Sequence, residues 1–113
     1  MAAGAICYIK GGDTDQIGHA CAMALKNLMG LVCDPVGGLV EVPCVKRNVG
    51  GAVNALAAAD MALAGIASHI PVDQVIDAMG EVGMKMDVSL RETSMGGVAT
   101  SPKGLEIAER LGM

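Results

Sequence analysis

Hydrophobic residues recur at helical spacing along most of the chain, with polar residues on the opposite faces. Ile17, Ala20, Cys21, Ala24, Leu25 and Leu28 share one face of a period near 3.6, and Asp15, His19 and Lys26 take the other. Asp13 precedes this run as an N-cap, Gln16 follows it at the spacing of a capping box, and Gly30 suits the residue just past the end. The pattern predicts a helix over 14–29. Residues 1–9 are apolar and end at Lys10-Gly11-Gly12, as the tail of a helix would. Residues 49–67 are rich in Ala and apolar nearly all round, so a central helix packed on several sides is expected there. Pro71 suits the start of another helix, whose apolar stripe is Val72, Val75, Ile76, Met79, Val82 and Met86. Ser101-Pro102 opens a last short helix as cap and first residue, and Gly112 ends it. No repeat and no alternating strand pattern interrupts this order. The expected fold is all-α, a compact bundle of four to five helices around the alanine-rich one, with a cysteine-bearing loop.

That loop, residues 30–48, breaks the helical pattern. Pro35 and Pro43 each remove a backbone donor and bias the preceding residue toward extended geometry, and Gly37-Gly38 lets the backbone turn or approach a ligand closely. Cys33 and Cys44 are therefore expected on a shaped loop between helices. A protein presenting soft ligands to a metal would be built this way, and so would an ordinary tight connection.

Composition narrows the picture. The 113 residues suffice for one small domain and one core, and with one Tyr, no Phe and no Trp the packing falls to small side chains and nine Met. A net charge of −4, with no basic run and no aromatic platform, speaks against nucleic acid as a partner. The longest apolar window, 52–67, carries Asn54 and Asp60 and is no membrane span. Four cysteines without a secretion signal point to a reducing, cytoplasmic setting.

Most other polar residues have bland readings. Cys7 and Cys21 lie on apolar faces and read as buried structural thiols, and the four cysteines form no C-x-x-C pair. His19 reads as solvated. Asp73, Asp77 and Glu81, with Lys85 four residues on, read as a solvated helix face. Asn54 and Asp60, on the apolar helix, need partners or an open flank. Residues 87–101 hold Arg91, Ser94 and Gly96-Gly97 in a loop rich in hydrogen-bond donors, of the kind that often walls a binding site.

The run CDPVGGLVEVPCVKRN, residues 33–48, resembles the core signature of the iron–sulfur-dependent L-serine dehydratases. ALKNLMGLVCDPVGG before it, and GAVNALAAADMALAGI, IPVDQVIDAMGEVG and LRETSMGGVATSPKG after it, follow the same family's order, so the resemblance covers essentially all of residues 1–113. It implies the C-terminal part of the alpha chain, or catalytic domain. It further implies a [4Fe–4S] cluster held by three cysteines, two of which match Cys33 and Cys44. The third belongs to a G-C-Q-G-type motif upstream of the matching region, and neither Cys7 nor Cys21 takes its place. With one iron lacking a thiolate, the family deaminates L-serine to pyruvate and ammonia by Lewis-acid chemistry without pyridoxal phosphate. Such catabolism feeds gluconeogenesis. The α-proton base is assigned to no residue of this chain.

Asp34, Arg47 and Asn48 flank the matching cysteines and are candidates for orienting them or the substrate, and Arg47 or Arg91 suits either a bidentate grip on the serine carboxylate or, equally, a structural ion pair. Implied partners are L-serine, the N-terminal part of the catalytic domain, and a beta chain or domain. Apolar surface left open where these would pack predicts self-association into a homo-oligomer, and a fragment inactive by itself. Two other readings stand beside this one: a different iron–sulfur lyase, such as a cysteine desulfidase-like protein, and a cluster-free helical interaction module.

Overall fold

Side-chain caps and prolines set the helix limits. In the computed structural model, which describes residues 1–113, Asp13 accepts the Gln16 backbone N–H at 2.8 Å and the Gln16 side chain accepts the Asp13 N–H at 3.0 Å. This reciprocal pair opens α2, Thr14–Leu28, after a first helix α1, Ala2–Ile9. Gly30 follows α2 at φ +80°, a backbone state that favours glycine. The third helix, α3, runs over Cys44–Leu63. It starts earlier than expected, so Cys44, Arg47 and Asn48 lie in its first turns and not on the loop. The reason is Pro43, whose carbonyl accepts the Arg47 N–H at 3.1 Å while its own missing donor is not needed at a helix start. Helix α4 spans Val72–Lys85, with the Pro71 carbonyl accepting from Val75, and α5 spans Pro102–Arg110 under a Ser101 cap. Three short 3₁₀ turns complete the order, at Val36–Gly38, Val88–Leu90 and Gly97–Thr100. The fold is all-α, as expected.

The chain divides into two compact units, each continuous in space but not in sequence. The first unit is Met1–Gly30 with Gly50–Met84. Its core is Ala3, Cys7, Ala20, Met23, Ala55, Ala58, Ala59 and Ala62, with Ile6, Ile17 and Leu63 at its edge. Small side chains bring the helices close. The Cys21 thiol packs where a side chain on Gly4 would begin, and Cys7 does the same against Gly12. Both thiols are therefore packing groups. The polar residues of this unit find partners: Asn54 bonds Asn27 and the Ala24 carbonyl, Lys10 pairs with Asp60, and buried Ser68 accepts from Lys26 and donates to Ile70.

Two expectations fail here. Helix α3 is not packed on several sides: only Ala55, Ala58, Ala59 and Ala62 are buried, while Val45, Val49, Val53 and Leu56 are about half exposed. Of the α4 stripe only Val75 is buried, and Ile76 and Val82 are open. Hydrophobicity marks surface that can be buried, but the chain must also supply something to bury it against.

The second unit, Leu31–Val49 with Lys85–Met113, holds the cysteine-bearing loop, the first turns of α3, the donor-rich segment and α5. Here α5 lies so close to the Gly97–Thr100 turn that a Cβ on Gly104 would sit 2.4 Å from the Val98 carbonyl oxygen. The loop turns through Gly37 and Gly38, both at positive φ, and Gly37 packs on Ala108 and Met113.

Candidate functional site

Everything that holds Cys33 lies in the second unit. Its backbone N–H donates to the Leu90 carbonyl at 2.9 Å and its own carbonyl accepts the Glu92 N–H at 2.9 Å, forming a single parallel bridge to Arg91. Glu92 takes a positive φ of 61°, uncommon for a residue with a Cβ, at the point where the chain leaves this bridge. One residue further, Asp34 is 1% exposed. A buried carboxylate must be paired and hydrogen-bonded, and this one is: Oδ1 accepts from Arg47 Nη1 at 2.5 Å and Oδ2 accepts the Val98 N–H at 2.6 Å. The same Arg47 nitrogen donates to the Val32 carbonyl at 2.8 Å. Pro35 offers its carbonyl to the Ser94 hydroxyl at 2.6 Å. Four consecutive residues, 32–35, are thus each fastened by a hydrogen bond to another part of the unit.

Burial pushes the Asp34 carboxyl up, but the Arg47 hydrogen bond, the Val98 N–H and the Arg47 charge outweigh it and hold the group below its usual value. Asp34 is therefore a carboxylate with both oxygens engaged inside the chain. Gly97 seals it. At φ +61°, a Cβ there would lie 2.0 Å from Asp34 Oδ2 and 2.7 Å from Asp34 Cβ, so only glycine fits. Asp87, at the surface, is also held low, chiefly by the Ser89 hydroxyl and backbone N–H bonded to its carboxylate.

Cys44 occupies the first position of α3, where the backbone N–H groups of a helix favour negative charge. Cys33 and Cys44 are both free thiols and both half-buried. That donor set suits a soft metal or an iron–sulfur centre in kind, and supplies two ligands of it. Nowhere does the chain gather three or more of His, Cys, Asp and Glu into a metal-holding group. The structure joins Asp34 and Arg47 to the Cys33 segment. It leaves Asn48 and Arg91 exposed, outside this network of side-chain hydrogen bonds, although the backbone of Arg91 forms the bridge. Nearby in the same unit, an apolar groove of about 180 Å³ is lined by Val36, Leu39, Val42, Ile107 and Leu111 with Glu41 at its edge, and no thiol opens into it.

Sequence reasoning did not find Gly97 and Val98 as the partners of Asp34, nor the Val32 carbonyl as a partner of Arg47. The Gly96-Gly97 pair was the available signal, since a close backbone approach is one of the things that demands glycine.

Comparison with known proteins bears on this frame of bonds around a CDP segment. The family model for the serine dehydratase alpha chain matches residues 1–99. This chain belongs to the serine dehydratase alpha chain family. It is 59% identical over 111 residues to a probable L-serine dehydratase alpha chain of Bacillus subtilis, covering 98% of this chain and 37% of that protein. A probable L-serine dehydratase alpha chain of Latilactobacillus sakei is 57% identical over 107 residues, which is 95% of this chain and 51% of that one. The L-serine dehydratase alpha chain of Peptoniphilus asaccharolyticus is 50% identical over 107 residues, 95% and 37% of the two chains. The chain therefore spans between a third and about half the length of these serine dehydratase relatives. No helix in it is long and apolar enough to cross a membrane.

Proposed function

We propose that residues 1–113 form the C-terminal portion of the catalytic domain of an L-serine dehydratase, and that Cys33 and Cys44 are cluster ligands in the intact enzyme. The single observation that carries the reading is the family match over residues 1–99, which includes both cysteines and the CDP segment fastened around one of them. Two free, half-buried thiols, neither packed against a glycine as Cys7 and Cys21 are, support the assignment. When bound, a [4Fe–4S] cluster would supply an iron acting as Lewis acid toward the serine β-hydroxyl, so that pyridoxal phosphate is not required. The third thiol comes from another part of the alpha chain, and a beta chain or domain completes the enzyme in the cytoplasm.

The residues of this chain divide the remaining work. Asp34 is sealed and doubly bonded, so it touches no substrate. Arg47 is tied to Asp34 and Val32 through its Nη1 nitrogen, which fixes its side chain to the Cys33 segment. Arg91, exposed beside the bridge to Cys33 and outside that tie, presents its guanidinium to grip the serine carboxylate through two parallel hydrogen bonds. Asn48, exposed one residue past Arg47, offers both a donor and an acceptor to the substrate amino and carboxylate groups. The test is the complete alpha chain with its partner, reconstituted anaerobically and assayed for pyruvate from L-serine and sulfide from L-cysteine. Pyruvate is expected as the preferred product. A preference for sulfide would favour a desulfidase-like lyase, and neither product would favour a helical module.

A further inference from the structure

Along the chain, Cys33 and Cys44 each fall between the attachment points of two cross-links. On the inner side, the Val36 N–H donates to the Val42 carbonyl at 2.9 Å and closes the base of the glycine turn. On the outer side, Arg47 ties α3 to the Val32 carbonyl and to the Asp34 carboxylate. Cys33 stands between Val32 and Asp34, the two residues that Arg47 holds. Cys44 stands between Val42 and Arg47, the two residues that reach across. The inner cross-link is one neutral backbone bond beside two glycines at positive φ, Gly37 and Gly38, so it restrains the two sides of the loop weakly. The outer one is a charge-assisted pair on a sealed carboxylate, backed by the Val98 N–H and roofed by Gly97.

We propose that Asp34 and Arg47 are positioning residues that set the Cys33 thiol against the Cys44 thiol, so that the pair is held as a bidentate soft-metal clamp before any metal arrives. Arg47 stands one helical turn after Cys44, so the first turn of α3 carries both the thiol and the arm that fixes the other thiol's segment. Asp34 gives that arm a fixed target: its second oxygen is anchored on Val98, so the carboxylate cannot swing with the loop. Asp34 and Arg47 act through the backbone on either side of Cys33. The importance of this device for catalysis rests on the assignment of Cys33 and Cys44 as cluster ligands, but the device itself does not.

The experiment uses this chain with Cys7→Ala and Cys21→Ala, so that Cys33 and Cys44 are its only thiols. Cadmium is titrated anaerobically, and the ultraviolet thiolate-to-cadmium band counts thiolates bound per metal. Circular dichroism and the melting transition are read alongside. The expected result is one cadmium bound by two thiolates. In both Asp34→Asn and Arg47→Met the affinity should fall by about tenfold or more, the size of effect typical of groups that orient metal ligands. A smaller fall in either variant that keeps its helicity overturns the proposal, as does binding through a single thiolate in the unsubstituted pair. Asp34→Asn preserves volume and decides the matter if Arg47→Met does not fold. A separate arm measures iron in the complete alpha chain carrying Cys33→Ser. Undiminished iron there refutes the cluster assignment and leaves the cadmium result to judge the clamp alone.

Discussion

Gly97→Ala is the sharpest single perturbation the structure offers. The added methyl would meet two obstacles at once. Its backbone is at φ +61°, a left-handed state that costs a residue with a Cβ about 1–2 kcal/mol. Its Cβ would also lie 2.0 Å from Asp34 Oδ2 and 2.7 Å from Asp34 Cβ and Cγ. The carboxylate must move, and it cannot move without stretching its bond to the Val98 N–H or to Arg47. Losing one hydrogen bond to a buried carboxylate costs about 1.5–3 kcal/mol. Together the two effects predict a loss of about 2.5–5 kcal/mol, a large part of the about 5–15 kcal/mol that domains of this size possess. Urea unfolding followed by circular dichroism gives the loss, and hydrogen exchange at the Val98 amide locates it. Gly80→Ala is the control: its Cβ would touch nothing within 4 Å, its φ is ordinary and it lies inside α4, so it should gain about 0.5–1 kcal/mol. A cost below about 1 kcal/mol for Gly97→Ala, with the Val98 amide still protected, would refute the sealed-carboxylate account.

Two further outcomes follow from the same bonds. Because Asp34 is held below its ordinary value, its native form binds protons more weakly than the unfolded chain, so its contribution to stability is complete above about pH 3.9 and is lost as pH falls through the lowered value. Stability of the metal-free chain minus that of Asp34→Asn should therefore be flat near neutrality and shrink in acid; a difference that grows in acid would contradict the direction of the shift. Ser101→Ala removes the oxygen that accepts the Gly104 N–H at 3.1 Å and should cost about 1 kcal/mol in a urea midpoint measurement, with no loss expected if the cap is idle.

How much of this was legible beforehand depended on the range of the interaction. The Asp13–Gln16 box, the Ser101-Pro102 start and the glycine after α2 are local, and each was readable because its partners stand within four residues. The start of α3 is local too, yet Pro43 was read as a breaker when its position makes it an opener. The packing of α3 was misjudged because an apolar face says nothing about whether a neighbour covers it, and Val45, Val49, Val53 and Leu56 have none that does. The frame around Cys33 was out of reach for a stronger reason. Asp34 meets Arg47 across 13 positions and Val98 across 64, and no periodicity links them. Only Gly97 hinted at it. The cysteines themselves were marked by a long string of neighbours, residues 33–48, and that string carried the family.

The measurement that tests the central claim most directly is iron and acid-labile sulfide per alpha chain, taken on the complete enzyme with its partner after anaerobic reconstitution. The unsubstituted enzyme is compared with Cys33→Ser, Cys44→Ser and, as controls, Cys7→Ala and Cys21→Ala. The account predicts that Cys33→Ser and Cys44→Ser each lose cluster iron and pyruvate formation from L-serine together. The two control variants keep iron in proportion to the folded protein recovered, since their thiols only fill space against Gly12 and Gly4. Full iron and full activity in either Cys33→Ser or Cys44→Ser would contradict the account.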